Sequence, residues 1–213
     1  MPGPETIFAL LAAAVVAGAA ALYYQAWRRR KDIEAMAQAA GLGFSASGPE
    51  AYSLEAGGIE LFRLGHSRDC ANLVSAGGIS LFDYAYVTGR GRSRSHHEFT
   101  VAYIERPALN IPAFDLKPET LMYKIGELVG FKDIDFPAFP LFSDKYRLTG
   151  PDEAAVHLFF TPERTAWFER NLGLHVQGGP GGLALFLRPG RLPASEWPAL
   201  LERARVMAAE LRL

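Results

Sequence analysis

From Ile7 to Trp27 the chain reads IFALLAAAVVAGAAALYYQAW, with no Asp, Glu, Lys, Arg or His. At about 1.5 Å per helical residue this run spans a bilayer's ~30 Å hydrocarbon core, and it predicts a transmembrane helix. A cleaved secretory signal would need a positive N-terminal region, a shorter apolar core and a small-residue cleavage site. Here the positive charge lies on the far side of the run instead. Tyr23, Tyr24 and Trp27 sit at that same end, where amphipathic rings favour the headgroup level. Gly18 and the flanking alanines either fill the span or offer a close helix–helix contact. The next ten residues, KDIEAMAQAA (31–40), place Ile33, Met36 and Ala37 on one helical face and stop at Gly41, so the helix is expected to continue out of the membrane.

Beyond Tyr52 the period changes from helical to alternating. IELFRL (59–64), CANLVS (70–75), ISLFDYAYV (79–87) and EFTVAYIE (98–105) are rich in β-branched and aromatic residues and are separated by glycines, which predicts a four-stranded antiparallel meander. Its last two strands close a hairpin with the loop GRGRSRS (89–95). In the third strand Leu81, Asp83, Ala85 and Val87 face one way, and Phe82, Tyr84 and Tyr86 the other.

Residues 107–115 form a proline-containing connector. Lys117-Pro118-Glu119 then reads as the first turn of a helix whose stripe is Leu121, Met122, Ile125, Leu128 and Val129, ending at Gly130. The segment 131–142 reads as extended, and 145–148 as a short edge strand. In the last third, helices over 152–160 and from Thr161-Pro162-Glu163 precede two strands (174–177 and 183–187) around GGPGG, which reads as a second small unit. A closing helix from about Ser195 presents Trp197, Leu200, Leu201, Ala204, Met207, Ala208 and Leu211 along one face. The expected fold class is therefore α+β: an N-terminal transmembrane helix (1–30), then an antiparallel-sheet domain with packed helices (31–213), divisible into a sheet-rich half (41–117) and a helix-rich half (118–213).

Charge sets the topology. All 22 Lys and Arg residues lie beyond Trp27, beginning with Arg28-Arg29-Arg30-Lys31, whereas Glu5 is the only charged side chain before it. The positive-inside rule then puts the C-terminal domain in the cytoplasm of a single-pass protein of the inner membrane, with the four basic residues flanking the bilayer. The net charge of −1 leaves no general attraction to nucleic acid, and none is expected as a partner. The single cysteine, Cys70, excludes an intrachain disulfide.

Three groupings could carry chemistry. His66, Cys70, His96 and His97 are zinc-type ligands, but adjacent His96 and His97 point to opposite sides of a strand, so no metal is assigned. Asp83 with Glu98, or Asp133 with Asp135, could do acid–base work; Asp83 and Glu98 would repel on a shared face unless His96, Arg63 or a metal stood between them. Arg90, Arg92 and Arg94, spaced by Gly and Ser, could surround a phosphate or lipid headgroup with planar donors. Nucleotide and Ser-His-Asp signatures are absent, because there is no G-x-x-x-x-G-K-[ST] or G-x-S-x-G, and no cofactor is implied.

Taken together, FDYAYVTGRG (82–91), LNIPAFDLKPE (109–119), DIDFPAFPLFSDKYRLTGPDEAAV (133–156) and LFLRPGRLP (185–193) give a chain that, from about Gly41 onward, resembles a group of uncharacterised single-pass bacterial membrane proteins. The resemblance implies a membrane-tethered bacterial domain and assigns no activity or site residue. The expected role is a binding or scaffolding module at the membrane surface, whose partners are the lipid bilayer and a protein. The alternatives are a tethered hydrolase using Asp83, His96, His97 or Glu98, and an accessory subunit of a membrane complex.

Overall fold

The computed structural model describes residues 3–120 and 131–212. Helix α1 (Pro4–Ala39) is continuous from the apolar run into the basic flank. The 18-residue window that qualifies it as a membrane span is wholly unburied by the rest of the chain, whereas Ile33 and Ala37 further on are fully buried. The helix ends in a Schellman turn: Gly41 adopts φ +66°, Gly41 N–H donates to Gln38 O, and Leu42 N–H donates to Ala37 O at 2.8 Å.

Next come β1 (Gly43–Ser47), α2 (Ala51–Ala56), β2 (His66–Ala76), β3 (Ile79–Thr88), β4 (Ser95–Glu105) and β5 (Phe114–Pro118). These are followed by α3 (Pro140–Lys145), β6 (Tyr146–Thr149), α4 (Glu153–Phe159), α5 (Pro162–Arg170), β7 (His175–Gly179), β8 (Gly182–Phe186) and α6 (Trp197–Glu210). The strands make one eight-stranded antiparallel sheet in the order β1-β2-β3-β4-β8-β7-β5-β6. The α+β class, with an apolar N-terminal helix, is thus the observed architecture.

One sheet face carries Val74, Leu81, Ala102, Ile104, Leu116, Leu148, Val176 and Leu185. It packs against the end of α1 and the buried side chains of α3 to α6, Trp197 and Phe168 among them. The opposite face carries the aromatic row Phe82, Tyr84 and Tyr86 with Phe99, Val101 and Tyr103, covered by α2 and the residues after it. The alternation read from β3 therefore separates two distinct cores. Gly77 and Gly78, at φ +60° and +81°, close β2 onto β3 in a two-residue turn that only positive φ at both positions permits.

Several expectations need correction. The stretch 59–64 is a 3₁₀ turn at Glu60–Arg63, not a strand. Its backbone joins no ladder: Phe62 N–H donates to Ile59 O in an i to i+3 turn bond, and Leu61 N–H donates to the Gln177 side chain. The first meander strand is instead Gly43–Ser47, an edge strand of small, mostly exposed residues. Lys117 and Pro118 end a strand, β5, instead of opening a helix; the helix read over 121–130 lies outside the described residues. Pro140–Lys145 is helical within the segment expected to be extended. The two late strands do not form a separate unit, because β8 pairs with β4 (Ala102 opposite Leu185), and the sheet runs through both expected halves. The edge strand expected at 145–148 is β6, one residue along; the helix expected from 152 is α4, which Asp152 caps; Thr161 caps α5; and the stripe of α6 faces the core, with Ala208 only partly buried.

The ring of Phe62 meets Tyr84 and Tyr103 edge-on, at 5.2 and 5.9 Å between centroids. Phe62→Ala should cost about 3–5 kcal/mol in chemical denaturation. A loss below about 1 kcal/mol would show that this ring does not hold the second core together.

Candidate functional site

The most developed polar site lies where α1 leaves its apolar run and meets the sheet. Strand alternation puts Asp83 on the face that packs α1, and its side chain is 1% exposed. Arg29, two residues past Trp27, grips it with both arms: Nε donates to Oδ2 at 2.8 Å and Nη2 to Oδ1 at 2.7 Å. Thr100, directly opposite on β4, donates its hydroxyl to Oδ1 at 3.0 Å and accepts the Leu192 N–H at 2.9 Å. Asn72 donates to Oδ2 at 2.9 Å. It sits at φ +57° in a bulge of β2, a conformation Asn tolerates better than most residues, and the bulge aims its amide across the strand.

Four donors thus saturate one buried carboxylate. Such an Asp83 is neither a free base nor a nucleophile; it is a socket for a membrane-proximal arginine. The flank Arg28–Lys31 is accordingly divided: Arg29 turns inward, Lys31 pairs with Glu34 at 2.9 Å, and Arg28 and Arg30 stay exposed. Glu98 shares the Asp83 face one register step nearer the hairpin, paired with Arg191 at 3.2 Å. Each carboxylate on this face thus has its own guanidinium, Arg29 for Asp83 and Arg191 for Glu98, and neither is paired with His96 or Arg63 among the described residues.

The remaining candidates are dispersed. His97 stacks on Tyr86 at 4.7 Å between ring centroids and contacts Thr88 Oγ1 at 2.8 Å, on the aromatic face. His96 is exposed on the opposite face. His66 contacts the Gly89 carbonyl at 3.0 Å. Burial first, and then neighbouring Asp69, push the Cys70 thiol up to about 12. Among the described residues no three His, Cys, Asp or Glu side chains converge as metal ligands, so His66, Cys70, His96 and His97 do not form the tetrahedral set considered above. Asp133 accepts the Leu148 N–H at 2.9 Å, and Asp135 is exposed. Arg90, Arg92 and Arg94 are all exposed around a short 3₁₀ turn, Gly91–Ser93.

One buried polar cluster escaped the sequence reading. His175 Nε2 lies 2.5 Å from Asp115 Oδ1, Gln177 Nε2 donates to the same oxygen at 3.0 Å, and Gln177 Oε1 accepts the Leu61 N–H at 2.7 Å. All three side chains are at most 2% exposed, which closes them to a substrate. They tie the 3₁₀ turn to the sheet. The signal was present as polar residues at every second position, Asp115 and Lys117 in β5 and His175 and Gln177 in β7.

On the surface, an open groove of about 500 Å³ runs between α5 and α6. Trp167, Leu172 and Val206 supply apolar surface, with Leu172 and Val206 well exposed. Arg170, Arg203 and Glu202 line it too; Glu202 faces Arg205 at 3.9 Å, and neither Arg170 nor Arg203 has an ion-pair partner among the described residues.

No protein-family model matches the chain, and no curated protein matches it either. The fold has a solved counterpart. The crystal structure of the mycobacterial trehalose monomycolate transport factor A, TtfA, superposes with a TM-score of 0.55 at 14% identity, over 87% of this chain and 93% of that one. At that identity the likeness is one of fold.

Removing Arg29 leaves a buried carboxylate without its counter-charge, so Arg29→Met should lower domain stability by about 3–5 kcal/mol in detergent-solubilised full-length protein. Asp83→Asn should cost less, because the partly exposed Arg29 can turn to water; the reverse order would refute the socket. Cys70, a protonated thiol at neutral pH, should react with a disulfide reagent at least ~100-fold more slowly in the folded than in the unfolded protein. Equal rates would show the thiol to be exposed and ionisable.

Proposed function

We propose that the protein is a membrane-anchored accessory factor that holds a binding domain at the cytoplasmic face of a bacterial inner membrane and serves a membrane complex there. The observation that carries this reading is the bidentate Arg29–Asp83 pair. A tether needs no such fixture, whereas a module that must present one surface at a set position beside a membrane partner does. The clustering of basic residues after Trp27 supports the cytoplasmic orientation. The shared fold with a transport factor supports an accessory role over a catalytic one.

The α5–α6 groove is the surface best suited to a protein partner, since its apolar floor and unpaired arginines match an acidic amphipathic segment. Crosslinking and affinity capture of the full-length protein from native membranes should yield an integral membrane partner at constant stoichiometry. Arg170→Glu with Arg203→Glu should reduce its recovery at least ~10-fold while thermal unfolding stays unchanged. Equal recovery with the charge-reversed protein would remove the groove from the account, and an absence of any stoichiometric membrane partner would remove the accessory role.

A further inference from the structure

We infer that the arginine hairpin between β3 and β4 is a second membrane contact, which binds anionic lipid headgroups of the bilayer that α1 enters. This inference rests on the anchored reading above and specifies which face of the domain meets the lipid.

The direction follows from the register of α1 on the sheet. The far end of α1 lies at the Gly77–Gly78 end of the sheet: Met36, Ala40 and Leu42 share a crevice with Val74 and Leu81, and Gly43 pairs with Ser75. Seven residues back along the helix, toward the membrane, Arg29 meets Asp83. Moving along β3 from Leu81 to Asp83 is therefore moving toward the bilayer, and the strand continues that way through Ala85 and Val87 to the tip at Gly89–Ser95. At about 3.3 Å per residue, Thr88 lies some 16 Å beyond Asp83. Along α1, the interfacial Trp27 is only about 3 Å beyond Arg29. The hairpin therefore has reach to spare, and it meets the headgroup layer with its strands inclined to the membrane normal.

The chemistry at the tip suits that layer. Arg90, Arg92 and Arg94 are exposed and have no ion-pair partner among the described residues. No acidic residue lies between Asp83 and Glu98 in the chain. Of the nearest carboxylates, Asp69 stands opposite Ala85 on β2, behind the tip, and Glu98 is already paired with Arg191. Exposed Arg28 and Arg30 add to the same end. Guanidinium groups bind phosphate oxygens bidentately, and Gly and Ser between them leave each free to adapt. Near an anionic leaflet each contributes roughly fivefold in binding.

Full-length protein carrying Cys70→Ala and a fluorophore at Ser93→Cys would be placed in lipid nanodiscs that contain a headgroup-attached quencher and no other protein. Anionic discs should quench the tip strongly, and the quenching should fall at least about fivefold in zwitterionic discs, in high salt, or on replacing the three arginines by Gln. Thermal unfolding should not change, because the tip makes no core contact. Quenching that is absent, indifferent to lipid charge, or unaffected by the triple substitution would overturn the inference, as would its loss to inorganic phosphate at constant ionic strength. Capture of a membrane partner is read separately, so failure here leaves the accessory role standing or falling on its own test.

Discussion

A charged pair at the root of the membrane helix sets the geometry of this protein. Asp83 is drawn out of water only because Arg29, Thr100 and Asn72 together replace its hydration, and two of the four bonds come from α1, whose other contacts with the sheet at this point are apolar. Hydrophobic packing of Ile33 and Ala37 would hold α1 against the sheet but would tolerate sliding. A bidentate guanidinium–carboxylate pair does not, since both atoms of the fork must be in place at once. The cost of burying the carboxylate is thus tied to a single register of helix on strand.

That register has consequences at both ends of the domain. At one end the Schellman turn at Gly41 reverses the chain into β1, which runs back beside β2. At the other, the β3–β4 hairpin carries its three arginines exposed. Between them, the pairing of β8 with β4 joins the meander to the later strands, so that α4, α5 and α6 pack on the same face as α1. The α5–α6 groove is consequently held in fixed relation to the anchor. Burial of His175, Asp115 and Gln177 on the other face serves the same rigidity, fastening the turn at 60–63 across the sheet.

Much of the architecture was legible locally. The apolar run, the alternation in β3 and β4, the N-cap of α5, and the stripe of α6 are all properties of short windows. What was not legible depended on pairing over long separations: Arg29 finds Asp83 across 54 positions, and His175 finds Asp115 across 60. Arg29 read as one member of a basic flank because nothing local separates it from Arg28 and Arg30. The edge strand GFSAS carries no β-branched residue to announce it, and IELFRL announced a strand where the backbone instead closes a tight turn, Phe62 N–H bonding Ile59 O. Pro118 drew the reading toward a helix start and hid the polar alternation of β5.

If Arg29 and Asp83 lock helix to sheet, the anchor and the domain move as one rigid body. The most direct measurement is the distance distribution between spin labels at Gln25 and Ser93, read by pulsed electron resonance on the Cys70→Ala full-length protein in nanodiscs. A locked pair gives a single narrow distribution that broadens on Arg29→Met. A broad distribution in the parent protein, or a narrow one that the substitution leaves unchanged, would contradict it.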